Sequence, residues 1–159
     1  MEKRLNAYKA NPEAIAAMSR LDDHVRRCGL EQSLIELVVT RASQINGCAY
    51  CLHKHTSEAR AAGEREVRLY LLSAWRESAL YTPREKAALA WTEALTKLPE
   101  TGAPTRDYEL GLAHFSEKEF VDLTLLIGVI NAWNRIGVGF RNVHPNDEAL
   151  SETWEIPEL

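Results

Sequence analysis

At 159 residues, 45% hydrophobic and 26% charged, the chain has the size and composition of one globular domain (1–159) able to bury a core. Its net charge of −4 comes from interspersed acids and bases, which argues against nucleic acid as the main partner, since phosphate neutralisation needs a basic stripe. The N-terminus MEKRLNAYKANPEAIAAMSRLDD lacks the apolar core of a secretory signal, and the longest uncharged stretch, Leu123 to Asn134, is too short to span a bilayer, so a cytoplasmic protein with no membrane association is expected.

Helical periodicity dominates and period-two alternation is absent, so the fold class is all-α, a compact multi-helix bundle. Asn11 as N-cap and Pro12 at the first helical position open a helix to about Cys28, with Ile15, Met18, Leu21, Val25 and Cys28 on its apolar face. A second helix runs from Glu31 to about Gln44, and Asn46-Gly47 breaks it. A third begins at about Cys48 and closes at Gly63. A fourth spans about Glu66 to Trp75; Leu69, Leu72, Trp75 and Leu80 read as core, with a subunit contact as the alternative. Thr82-Pro83-Arg84-Glu85 is a capping box that opens a helix to about Leu98, and a short helix follows from Thr105 to Ala113. Ser116-Glu117-Lys118-Glu119 is a second capping box, opening the most hydrophobic helix, to about Ile136, with Phe120, Leu123, Leu126, Ile127, Ile130 and Trp133 turned inward.

The chemistry concentrates between Glu36 and His55, ELVVTRASQINGCAYCLHKH. Three cysteines without a signal peptide do not make a disulfide scaffold, but Cys48 and Cys51 stand as C-x-x-C, a spacing that in a reducing compartment points to redox or metal chemistry. At a helix start, residues three apart share a face, and the helix N-terminus favours thiolate. His55 falls on the same face, one turn beyond Cys51, where an imidazole can accept a thiol proton. His53 is about 200° around from Cys51 and is expected to face solvent. Glu36 is the single charge in LIELVV. If buried, desolvation raises its pKa and suits it to proton transfer; if not, it is a rim residue. A zinc site using Cys48, Cys51, His55 and Glu36 is the alternative chemistry, although three ligands on one helical turn are unusual for structural zinc.

A glutamate, eleven residues, C-x-x-C, three residues and a histidine make a pattern that resembles the alkylhydroperoxidase D-like proteins of the carboxymuconolactone decarboxylase superfamily. Glu36, Cys48, Cys51 and His55 satisfy it in full, and the later segments ALAWTEALTKL and LIGVINAWNRIGVGF are also similar, so the resemblance runs from Glu31 to Phe140. It implies an all-α fold assembled as a trimer or hexamer, and a thiol-dependent peroxidase. In that reading Cys51 attacks the peroxide, Cys48 forms the disulfide and exchanges with a thiol partner, and Glu36 and His55 relay protons. The implied reductant is a thioredoxin-like or lipoyl-bearing protein, and no bound cofactor or metal is needed. One branch has a histidine directly before the second cysteine; this chain has Tyr50. The non-redox alternatives are a decarboxylase-like enzyme on a small carboxylated substrate, anchored by Arg41 or Arg135, and a structural subunit with vestigial thiols.

Overall fold

The computed structural model describes residues 4–142, and all regular structure among them is helical. The helices are α1 (Ala7–Ala10), α2 (Pro12–Val25), α3 (Gln32–Asn46), α4 (Ala49–Ala61), α5 (Glu66–Tyr70), α6 (Pro83–Thr96), α7 (Leu98–Thr101), α8 (Thr105–His114) and α9 (Glu117–Gly139), with a 3-10 segment, Leu72–Glu77, after α5.

Both capping boxes form: Thr82 and Glu85 cap α6, and Ser116 and Glu119 cap α9. Several boundaries differ from the sequence reading. Asn6 caps the additional short α1, its side chain accepting the Lys9 amide. Helix α2 stops at Val25 rather than Cys28, and the following Arg26 turns its side chain to Asp22 and Glu36. Of its expected apolar face only Val25 is buried; Leu21 is exposed, because α2 packs mainly on α9. The stretch from Glu66 to Trp75 is not one helix: α5 gives way to the 3-10 segment, and Ala74 departs from helical geometry. Leu98 starts a separate short helix instead of ending α6. Helix α9 continues to Gly139.

Helix α3 is central. Every residue from Leu34 to Thr40 is buried, because α4, α6 and α9 pack around it. The main core joins Leu34, Ile35, Val38 and Val39 of α3 to Ala87, Ala88 and Trp91 of α6 and to Leu123, Leu126, Ile127 and Ile130 of α9. Leu37 faces a second cluster with Leu72, Trp75, Tyr81, Leu89 and Ala90, against which Leu80 packs; Leu69 is buried as well, so the core reading of that stripe holds. Helix α9 is the one described helix long and apolar enough by length and composition to cross a membrane, but half of that stretch is buried inside the protein, as expected of a core helix.

Candidate redox site

The link between α3 and α4 is only Gly47 and Cys48. Gly47 adopts the left-handed conformation (φ 64°). Its amide bonds back to the Gln44 carbonyl and the Cys48 amide to the Ser43 carbonyl, the two closing bonds of a Schellman turn. A side chain at this φ would be strained, so glycine lets the chain reverse in two residues. Cys48 is therefore not inside α4 but is its N-cap, with Sγ accepting the Cys51 amide at 3.3 Å. Cys48 and Cys51 are joined by a disulfide, with Cα atoms 5.3 Å apart. Helix α9 backs the sulfurs with Gly137, where a Cβ would lie 2.8 Å from Cys48 Sγ and 3.6 Å from Cys51 Sγ. An amide network fixes this approach: Asn46 donates to Asn131 and Asn134, and Asn134 donates to Ser43 Oγ.

Glu36 is buried at 2% exposure. Its Oε1 accepts from Arg26 Nη1 at 3.1 Å and Gln32 Nε2 at 2.7 Å, and Asp22 steadies Arg26 through Nε. Its Oε2 has no hydrogen-bond partner and stands 3.5 Å from Nδ1 of His55, which is itself buried. The same Nδ1 lies 3.1 Å from Oε2 of Glu58, whose Oε1 is held by Lys54. Partial burial pushes the Glu58 carboxyl up, but the hydrogen bonds and charges of Lys54 and His55 outweigh it and hold the group below its ordinary value.

These groups open on a cleft of about 170 Å³ lined by Tyr8, Tyr50, Cys51, His55, Trp133 and Gly137, with Asp22, Arg26 and Lys54 at its polar side. Tyr8 stacks on Trp133, with centroids 6.4 Å apart. Burial and the neighbouring Tyr50 hold the Tyr8 phenol above its ordinary pKa, so it stays neutral. The N-terminal segment that carries it is tied to the end of α9 by Arg4, through its amide to the Phe140 carbonyl and its guanidinium to the Gly139 carbonyl. Cys51 reaches the cleft; Cys48, at 1% exposure, lies behind it.

All four expected residues thus meet in one place, and Glu36 is buried rather than on the rim. His53 is partly buried instead of facing solvent. Arg41 is held by Glu93 and Gln44 and so is not a free carboxylate anchor, whereas Arg135 donates through Nη1 to the Asn131 carbonyl and side-chain oxygens. The expected zinc set is changed too: with both cysteines in the disulfide, the metal-type ligands that converge are Glu36, His55 and Glu58. Glu58 at i+3 from His55, and Gln32 at i−4 from Glu36, were readable from helical spacing. Arg26, Tyr8, Trp133 and Gly137 were not, because other elements deliver them.

Residues 12–94 match the model of the carboxymuconolactone decarboxylase family. The uncharacterized protein YdfG of Bacillus subtilis (strain 168) is 39% identical over 142 residues, 89% of this chain and 97% of YdfG. A crystal structure of a protein of unknown function from Agrobacterium tumefaciens, suggested to be the antioxidant defence protein AhpD, superposes with a TM-score of 0.88 at 49% identity, covering 91% of this chain and 99% of that one. The apo debrominase Bmp8 shares the fold at 18% identity, with a TM-score of 0.77 over 86% of this chain and 73% of its own. With its family match, its full-length relatives and its C-x-x-C pair, the chain belongs to the carboxymuconolactone decarboxylase family, as an alkylhydroperoxidase D-like member of that superfamily.

Proposed function

We propose that the chain is a thiol peroxidase that reduces hydroperoxides through a reversible Cys48–Cys51 disulfide. The observation that carries this reading is the placement of the disulfide: Cys51 on an aromatic-walled cleft, Cys48 bonded behind it, and the buried Glu36–His55 pair beside them. The likeness to the Agrobacterium protein suggested for antioxidant defence supports it.

In the cycle, Glu36 and His55 take the Cys51 proton, and Glu58, part exposed, links the pair to solvent. The thiolate attacks the terminal peroxide oxygen; the O–O bond breaks, the alkoxide leaves as alcohol after protonation, and Cys51 becomes a sulfenic acid. Cys48 displaces its hydroxyl as water and closes the disulfide. An external dithiol protein, thioredoxin-like or lipoyl-bearing, restores both thiols by exchange. Cys48 as N-cap suits that exchange, since the helix start stabilises its leaving thiolate.

Thiol titration before and after addition of a hydroperoxide tests the reading. Cys48 and Cys51 should be lost together while Cys28 remains titratable; loss of no thiols would sink it. The debrominase fold neighbour raises a second use of the same sulfurs, and bromide release from a brominated pyrrole, in place of peroxide consumption, would select it. We further propose that the chain works as a homo-oligomer. Val121 and Leu125, one turn apart on α9, leave that core helix with exposed apolar side chains, and Val138 is exposed near its end. Light scattering giving a fully active species of monomer mass would contradict this.

A further inference from the structure

Three metal-type ligand atoms converge behind the cleft. Glu36, His55 and Glu58 each offer one ligand atom, and these atoms lie within 4.8 Å of one another. The two carboxylate oxygens are 3.5 and 3.1 Å from the ring nitrogen. Nδ1 carries at most one proton, enough for one good hydrogen bond. Glu58 has the shorter contact, and Glu36 Oε2 is left buried without a hydrogen-bond partner. A bare carboxylate oxygen in that position is costly. One cation at the centre would serve all three atoms.

The spacing fits such an ion. Zinc bonds of about 2.1 Å to nitrogen and oxygen, at tetrahedral angles, place neighbouring ligand atoms about 3.4 Å apart. The observed 3.1 and 3.5 Å straddle that value. The Glu36–Glu58 pair needs the most closure, and the Glu58 side chain, 43% exposed, is free to swing inward. Supporting contacts are already in place. Arg26 and Gln32 hold Glu36 Oε1, and Lys54 holds Glu58 Oε1, so each carboxylate turns its second oxygen toward the ring. Outer hydrogen bonds of this kind orient the ligands of metal sites. Asp22, Glu36 and Glu58 supply three negative charges against the two positive charges of Arg26 and Lys54, so a cation enters a group with negative excess. One imidazole and two carboxylates, with no sulfur, suit zinc and its divalent neighbours.

We infer that Glu36, His55 and Glu58 form a divalent-cation site of the zinc class whose occupancy takes the proton-accepting pair out of use. On binding, the Nδ1 proton moves to Nε2 by tautomer exchange, or to water from a doubly protonated ring, and the nitrogen lone pair goes to the ion. The inhibitory consequence rests on the peroxidase reading; the binding does not.

The test uses full-length, untagged Cys28→Ser protein with the Cys48–Cys51 disulfide intact, titrated with zinc chloride in a calorimeter. No thiolate is then available, so a bound ion must use nitrogen and oxygen ligands. The expected result is one ion per chain. Glu58→Gln and His55→Gln should each weaken binding at least tenfold, because loss of an outer contact alone typically costs about 10- to 100-fold. Glu66→Gln, an exposed acid away from the cluster, should bind as the parent does. Absence of binding, or binding that survives both cluster substitutions, overturns the site. Glu58 is exposed enough that its substitution should not unfold the chain, which a thermal melt verifies. No peroxide is present, so a failed zinc titration and a failed peroxidase assay are separate results.

Discussion

Two carboxylates of this protein, buried Glu36 on α3 and partly buried Glu93 on α6, are surrounded in opposite ways. Glu93 Oε1 accepts from Arg41 and from the Trp75 indole, each at 2.8 Å, and Oε2 is paired with Arg76. Burial alone would raise its pKa, but these bonds overcome that and lower it. The groove beside it, about 620 Å³ and lined in part by Trp75, Arg76 and Lys86, is larger than the thiol cleft. Yet no cysteine lines it, and Glu93 next to it has both oxygens occupied. Glu36 has one oxygen filled and the other bare beside a titratable ring. A carboxylate with both oxygens occupied by cations is a structural joint; one left half-satisfied next to a base and a thiol pair is poised for proton traffic. The proposed site therefore rests on the state of the buried polar atoms and not on pocket size.

The largest effect should come from the sulfurs. Cys51→Ser should abolish peroxide consumption, whereas Cys48→Ser should block turnover and leave a sulfenic acid on Cys51, trapped by a dione reagent and located by mass spectrometry. Sulfenic acid in the Cys51→Ser protein and none in the other would reverse the two roles. Next comes the direct contrast of the carboxylates. Glu36→Gln keeps the shape and removes the titrating oxygen, so the rate should fall by about 10²- to 10⁴-fold with a small change in melting temperature. Glu93→Gln should do the reverse: it leaves Arg41 and Arg76 poorly paired, costs about 1–3 kcal/mol of stability, and leaves the rate per folded molecule unchanged. Equal behaviour of the two variants would dissolve the distinction.

Gly137→Ala sharpens the same contrast from the α9 side. Its Cβ would crowd Cys48 Sγ at 2.8 Å, an overpacking expected to cost about 1–3 kcal/mol by chemical denaturation. An unaltered midpoint would mean that the sulfur pair shifts freely. The smallest effect lies far from the site, at the α9 cap. The Ser116 amide, Arg84 and the Ser116 hydroxyl hold Glu119 down to about 2, from an ordinary 4.5. A depressed acid contributes stability above its unfolded pKa and loses it as pH falls through the folded one. Glu119→Gln should therefore cost about 0.3–1 kcal/mol at neutral pH, and the difference from the parent should vanish between pH 4.5 and about 2. A constant difference across that range would assign the effect to packing.

Local signals in the sequence determined the helices with strong punctuation. Thr82-Pro83 and Ser116 with Glu119 fixed two starts, and Asn46-Gly47 fixed the turn before the cysteines, because capping and left-handed turns depend on neighbours within a few residues. The C-x-x-C pair and His55 were legible for the same reason: they lie on one helical turn and its cap. The short α1, the early end of α2 and the break after Tyr70 were not legible, since short segments and helix ends take their limits from what they pack against. Glu36 shows the division most clearly. Its isolation among apolar residues marked it, but spacing left it either on a rim or in the core. Tertiary packing buried α3 between α4, α6 and α9, brought Arg26 from α2's end to one carboxylate oxygen, and set the other against His55. It also placed Gly137 behind the sulfurs and Trp133 with Tyr8 over the cleft. Such contacts join residues far apart in the chain, and no helical period encodes them.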